Sequence, residues 1–234
     1  MRNIAIITAR SGSKGLPDKN IKELNKKPLI AYTILSALES NCFDTIMVST
    51  DSEYYAEIAR MYGAEVPFLR SDFASSDTAS SWDVVREVLE NYKKMGQNFD
   101  TVCLLQPTSP LRNAIDIREG YNLFRDKLAD AITSVTPVEH SPLWCMTLSE
   151  DLSLDEYKKS EKGNAPRQLL EKYYRLNGAI YIRRISENGI DIIDEKEYAL
   201  VMPQERSVDI DTILDFEYAE FILQRIENNN SVRR

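Results

Sequence analysis

Three groups of residues in this 234-residue chain have the types and spacing to do chemistry. The first is the turn after the apolar run Ile4-Ala5-Ile6-Ile7, which gathers Arg10, Lys14 and Lys19 among Gly12, Ser13 and Gly15, with Asp18 as its one acid. Small residues let a backbone come close to a ligand, and exposed N–H groups beside cations favour a polyphosphate. A solvated strand-to-helix turn with incidental lysines is the plain alternative. The second group is Asp209-Ile210-Asp211. In an extended segment side chains alternate, so both carboxylates face one side and suit Mg²⁺, which binds through one or two carboxylates plus phosphate oxygens and water. They could equally be a helix cap and a solvent-facing acid. The third is Arg167, Arg175 and Asn177, where arginine offers a two-pronged grip on a carboxylate, although surface arginines are common.

Two nucleotide motifs are excluded by spacing. Gly12-Ser13-Lys14 lacks the glycine five residues upstream that a Walker A loop needs, and Gly15 follows the lysine where Ser or Thr should stand. Nor is the turn a G-x-G-x-x-G fingerprint. A nucleophilic triad is equally unsupported, because the only histidine, His140, has no Gly-x-Ser-x-Gly elbow to serve.

The elements that must position these groups follow from apolar periodicity. Ile4–Ile7, 44–49 and 101–105 read as buried strands; helical patterns follow the first at 29–39 and the second at 55–62, with Gly63 as its stop, and another at 81–95, with Ser80 or Ser81 as its cap, precedes the third. A helix over 114–128 and a strand over 131–135 continue the alternation, with a short strand at 65–68. Strands without polar alternation, each followed by a helix, predict an α/β fold with a largely parallel sheet covered on both faces. Ligands of such sheets bind at the strand carboxyl ends. Those ends hold Arg10 to Asn20, Thr50-Asp51 and the proline-fixed loop Gln106-Pro107-Thr108-Ser109-Pro110-Leu111-Arg112, so separate stretches converge on one edge.

The pattern breaks over 137–174, which is too long for an ordinary loop and reads as an arm or insertion in one domain spanning 1–234. Strands at 178–182 and 198–202 and a helix over 213–228 close the chain, with a frayed end. A net charge of −8 argues against a general nucleic-acid binder. With no apolar run of 18–20 residues and no charged, apolar leader, neither a membrane span nor a signal peptide is expected. The scattered Cys42, Cys103 and Cys145 read as reduced thiols of a cytoplasmic protein.

Five stretches together resemble the CMP-sialic acid synthetases (acylneuraminate cytidylyltransferases): 9–20, Ser76-Asp77-Thr78-Ala79-Ser80-Ser81, 105–112, Arg175-Leu176-Asn177-Gly178-Ala179-Ile180-Tyr181-Ile182, and Ser207-Val208-Asp209-Ile210-Asp211-Thr212. They occur in the family's order over nearly the whole chain. The resemblance implies a mostly parallel Rossmann-like sheet of the nucleotide-diphospho-sugar transferase type with a small dimerisation arm at 137–174. It also implies a homodimer that uses Mg²⁺ to transfer CMP from CTP to the anomeric hydroxyl of a nonulosonic acid, in nucleotide-sugar biosynthesis for lipopolysaccharide or capsule.

Carried across by residue, the resemblance puts Arg10, Ser13, Lys14, Lys19 and Asn20 on the triphosphate and Arg70 and Ser81 on the nucleotide, Ser81 near the ribose or base. Gln106, Arg167, Asn177 and Tyr181 would bind the sugar, with Arg167 reaching the partner subunit's site by way of the arm. Asp209 and Asp211 would hold the metal, and Lys14, Lys19 and Asp211 would carry catalysis. Departures fall on the sugar pocket: Trp144 stands where the compared enzymes carry lysine, and Gly189-Ile190-Asp191-Ile192-Ile193 where they carry aromatic residues. These changes favour a deoxy, bis-acylated sugar such as legionaminic or pseudaminic acid beside sialic acid. Ketodeoxyoctonate activation is a nearer rival that the 175–181 motif counts against, and a silent nucleotide-binding regulator is a rival from another class.

Overall fold

The computed structural model describes residues 1–12, 15–154 and 171–232; Ser13, Lys14 and Arg167 lie outside them. Its centre is strand β1 (Asn3–Thr8), in which Ile4, Ala5, Ile6 and Ile7 are fully buried. Ala5 and Ile7 face one core, with Ile30, Ile34 and Ala37 of helix α1 (Leu29–Ser40) and Ile117 and Tyr121 of a later helix. Ile4 and Ile6 face the other, with Val85, Val88, Leu89 and Tyr92. Burial on both faces is why the strand shows no polar alternation, and each such isoleucine contributes roughly 1.5–3 kcal/mol.

Before α1 lies a minor hairpin of β2 (Glu23–Leu24) and β3 (Lys27–Pro28), turning through Asn25 and Lys26 at φ 46° and 68°. Two consecutive positive φ values mark the turn type that matches strand twist. Then come β4 (Thr45–Ser49), α2 (Glu53–Met61), the single turn α3 (Asp72–Ser75), α4 (Ser81–Lys94), β5 (Thr101–Leu105), α5 (Ala114–Asp126) and β6 (Ala131–Pro137). The last elements are β7 (Tyr174–Ile185), β8 (Ile192–Ile193), β9 (Glu197–Val201) and α6 (Ile213–Val232).

The main sheet runs β4-β1-β5-β7-β6-β9, with β8 on β7. The α/β fold with a mostly parallel sheet is as expected: β4, β1 and β5 are parallel, and so are β6 and β9. β7 alone runs against its neighbours, antiparallel to β5, β6 and β8.

Three elements differ from expectation. The strand at 65–68 reduces to one parallel bridge between Met47 and Glu65, because Pro67 has no N–H to continue the ladder. β7 begins at Tyr174, before the expected 178, and carries a bulge. Helix α6 continues to Val232 in place of the frayed end from Asn228. Within the irregular 137–174 stretch, the described part holds a 3-10 turn at Pro142–Trp144, and Val138 N–H donates to Tyr173 C=O. The remainder of the expected arm lies outside the described residues.

Candidate active site

An open cleft of about 640 Å³ lies at the carboxyl ends of β1 and β5, within the size range of ligand sites. Arg10, Lys19, Asn20, Arg70, Ser81, Gln106, Asp209 and Asp211 all line it. Eight of the residues singled out from sequence therefore share one cavity.

The turn after β1 is held at several points. Ser11 donates through N and Oγ to the Asp51 carboxylate, at 2.8 and 3.0 Å. Asp18 sits at φ 52° and accepts from Tyr55 Oη at 2.9 Å. Burial and that carboxylate raise the Tyr55 phenol above its ordinary range. Asn20 is buried and donates to the Arg10 carbonyl at 3.1 Å, so it shapes the turn as well as lining the cleft. Arg10 pairs with Asp77 at 3.0 Å, which ties the turn to the 76–81 segment. Gly15 is set against the acidic strand end: a Cβ there would lie 3.0 Å from the Asp211 carbonyl.

Across the cleft, Arg70 is buried and donates to Ser49 Oγ at 3.0 Å and Ser49 C=O at 2.7 Å. Desolvation lowers its guanidinium to about 10, so it remains a cation at neutral pH. Ser81 opens α4, whose start is fixed by a capping box between Ser80 and Asp83. The positive end of that helix thus faces the cleft.

The acidic side is built on the proline loop. Ile210 N–H donates to Thr108 C=O at 2.8 Å, which plants Asp209 and Asp211 beside Gln106. Lys19 Nζ reaches the Ile210 carbonyl and, at 3.2 Å, Asp211 Oδ1. Asp209 is the anomaly. Its Oδ1 is buried with no hydrogen-bond partner, and burial raises its carboxyl above the ordinary value despite a bond from Thr108, with Asp211 adding to the rise. A desolvated carboxylate oxygen beside a second acid is a position that a hard cation fits. Among the described residues no cluster of three or more His, Cys, Asp or Glu ligands occurs.

The sugar-side residues divide. Gln106 lines the cleft. Asn177 does not: it is buried, donating to Ser207 Oγ at 2.9 Å and accepting from Ser134 Oγ at 2.6 Å and Ala179 N at 3.2 Å. Its amide is engaged in holding the β7 bulge. Tyr181 stands behind the wall, packed edge-on to Trp82 with ring centroids 6.2 Å apart. Burial, followed by Asp209, raises its phenol.

The two positions proposed to select the sugar also move. Trp144 is half-buried on its 3-10 turn and does not line the cleft. The 189–193 segment leads into and includes β8, at the opposite end of the sheet, where Ile185 N–H meets Asp100 C=O at the start of β5. His140 is exposed and outside the cleft wall.

Sequence reasoning placed Asp51, Asp77, Thr108 and Gly178 in its strand ends and motifs without reading their supporting roles, and it gave no sign that Tyr55 holds Asp18. Gly178 had a usable signal, since an isolated glycine inside a strand pattern marks a bulge or a close approach.

The family model "Cytidylyltransferase" matches residues 4–229. The chain belongs to the cytidylyltransferase family. Among cytidylyltransferase relatives, it is 37% identical to the CMP-N,N'-diacetyllegionaminic acid synthase of Legionella pneumophila over 96% of this chain and 97% of that protein. It is 35% identical to a pseudaminic acid cytidylyltransferase of Campylobacter jejuni, covering 99% and 100% of the two chains. An N-acylneuraminate cytidylyltransferase of Streptococcus agalactiae is 40% identical over 92% of this chain, which spans 52% of that longer protein. In fold, the chain superimposes on a CMP-2-keto-3-deoxy-manno-octonic acid synthetase complexed with CTP, with TM-score 0.68, 17% identity and coverage of 96% and 99%.

Proposed function

We propose that this cytidylyltransferase moves CMP from CTP to the anomeric hydroxyl of a nonulosonic acid of the sialic, legionaminic or pseudaminic type, releasing pyrophosphate. The observation that carries the reading is the single cleft in which Arg10, Lys19 and Arg70 oppose Asp209, Asp211 and Gln106. The relatives of full matching length act on legionaminic and pseudaminic acids by name, which supports the substrate class.

Attack at the α-phosphorus requires charge neutralised on three phosphates and a nucleophile held in line with the leaving group. Arg10 and Lys19 supply fixed cations on the pyrophosphate side. Ser13 and Lys14 follow Gly12 in the same turn of sequence, and we assign them to the same cradle. Arg70 and Ser81, across the cleft, are assigned to the nucleoside. Gln106 orients the sugar, and Arg167 is assigned to its carboxylate by sequence position. Asp209 and Asp211 would hold Mg²⁺, as the partnerless Asp209 Oδ1 fits. When bound, the ion supplies positive charge against phosphate oxygen and lowers the pKa of the sugar hydroxyl. No covalent nucleophile is needed, in keeping with the absence of a triad.

We assign the protein to a homodimer. Tyr174 and Leu176 at the start of β7 are 47% and 62% exposed, an apolar edge beside the 137–174 stretch that suits a second copy. We place the reaction in the cytoplasm. That fits three unpaired cysteines and, among the described residues, no helix long and apolar enough to cross a membrane.

The reading is tested by incubating the protein with CTP, Mg²⁺ and each of N-acetylneuraminic, di-N-acetyllegionaminic and pseudaminic acid, and weighing the product by mass spectrometry. A CMP-sugar adduct from at least one acid is expected. Nucleotide binding without any adduct would favour the silent regulator. Asp211→Ala should lose turnover by about 10²-fold or more even at saturating Mg²⁺; retention would remove the metal assignment.

A further inference from the structure

Among the described residues Arg112 is the largest fully buried side chain, yet no carboxylate there accepts its hydrogen bonds. Its guanidinium donates through Nη1 to Gln106 C=O at 3.2 Å and Ala179 C=O at 3.0 Å, and through Nη2 to Thr33 Oγ1 at 2.6 Å. Nε has no partner. The nearby Asp116 is occupied by Arg206, at 2.8 and 3.0 Å. A cation buried against neutral acceptors is costly, so its placement calls for a reason beyond filling space.

The register of the sheet supplies one. β5 and β7 pair from Thr101↔Arg184 to Leu104↔Tyr181. Carried two places further, that ladder would set Gln106 directly opposite Ala179. The strands part there instead, and Arg112 Nη1 bridges those two carbonyls in place of the ladder. On the other edge of β7 the pairing jumps from Thr133↔Tyr181 to Val135↔Leu176, so β7 bulges between Leu176 and Tyr181. Ser134 and Asn177 stitch that side of the bulge. At its crest Gly178, at φ 75°, admits Gln106 Oε1 to within 2.7 Å of where a Cβ would stand.

We infer that Arg112 is a positioning residue. By bridging the Gln106 and Ala179 carbonyls it sets the distance between the proline loop and the β7 bulge, and so aims the Gln106 side chain into the cleft. The inference rests on the reading of Gln106 as the sugar-side residue. It assigns Arg112 a part in sugar binding without touching sugar. A hydrophobic residue would leave both carbonyls orphaned. Lysine keeps the charge but loses the planar fork that meets Thr33 and the two carbonyls at once.

The test measures KM for the best nonulosonic acid of the panel and KM for CTP, with melting temperature, in Arg112→Lys, Arg112→Met and Gln106→Ala. Thr33→Val serves as a milder variant should the Arg112 variants fail to fold. Arg112→Lys is expected to raise the sugar KM about tenfold, the scale of a small misplacement, and to leave the CTP KM within about twofold. Thr33→Val should move the same parameter the same way by a few-fold. A lowered melting temperature with both KM values unchanged would make Arg112 a structural cation only and overturn the inference. An equal rise in both KM values would overturn it too, as a general collapse of the cleft. Gln106→Ala separates the two layers. If it raises the sugar KM while the Arg112 and Thr33 variants do not, the inference fails and the reading of Gln106 stands; if it leaves the sugar KM unchanged, that reading fails and the inference with it.

Discussion

Gln106 and Gly178 meet across the end of the sheet with no room for a methyl group, because a Cβ on Gly178 would lie 2.7 Å from Gln106 Oε1. The same glycine sits at φ 75°, where a side chain is strained whatever the space. Gly178→Ala must therefore shift both the bulge and the glutamine. We expect kcat/KM for the sugar to fall about 10²-fold, with a smaller loss of thermal stability. Steady-state kinetics at varied sugar concentration, normalised to folded protein, checks this.

Lys19 links the cationic turn to the acidic segment. Its ammonium reaches Asp211 at 3.2 Å and is only 12% exposed, whereas the Asp211 side chain is 77% exposed. So screened a pair contributes little to stability on the Asp211 side. Its use is chemical: a fixed cation next to the metal-side acid. Lys19→Met should fold normally and lose about 10²–10³-fold in kcat/KM for CTP, the range for removing one preorganised charge contact. Circular dichroism and pyrophosphate release read the two halves of that statement.

Buried Asp116 and half-buried Arg206 form the pair that anchors the approach to Ser207-Val208-Asp209. Asp116 is 1% exposed, bonds Arg206 through both oxygens and also accepts Asn113 N–H at 3.0 Å. Arg206→Met orphans a buried carboxylate that retains one bond, so a cost of about 2–3 kcal/mol is expected, toward the low side for such losses. That corresponds to a melting temperature lower by roughly 5–10 °C. Turnover per folded molecule at 25 °C should change far less.

The capping box that starts α4 beside the cleft gives a pH-dependent signal. Hydrogen bonds from the Ser80 hydroxyl and the Ser80 backbone hold Asp83 below its ordinary value of 3.8. A depressed carboxyl contributes stability that is complete above the unfolded value and is lost as pH falls through the folded one. Asp83→Asn should therefore be less stable than the parent protein above about pH 5, with the difference closing as pH falls below the ordinary carboxylate value. Thermal midpoints across that range decide it. Ser80→Ala, removing the cap itself, should cost about 1 kcal/mol.

Much of this was legible in the sequence, and the physical reasons are specific. β1 and β5 were readable because burial on both faces leaves uninterrupted apolar runs. The proline loop was readable because two prolines exclude regular structure. Arg10, Lys19 and Gln106 were readable because strand carboxyl ends converge in a parallel sheet, and Asp209 and Asp211 because side chains alternate along an extended segment. What could not be read were relations between distant segments. Asp51 holding Ser11, Tyr55 holding Asp18, and Arg112 filling the gap between β5 and β7 depend on register, which no local pattern encodes. Asn177 shows the same limit: a motif fixes its place in the chain, but only the fold turns its amide toward Ser134 and Ser207. Pro67, by contrast, stood in plain view against the strand at 65–68.

The central claim is that one cleft couples CTP to a nonulosonic acid. Its most direct test is pyrophosphate release from CTP with Mg²⁺, followed with and without the sugar. The account predicts negligible release without the acid, one pyrophosphate per CMP-sugar formed with it, and loss of both in Asp211→Ala. Release that is indifferent to the acid, or tight CTP binding with no release under any acid, would contradict it.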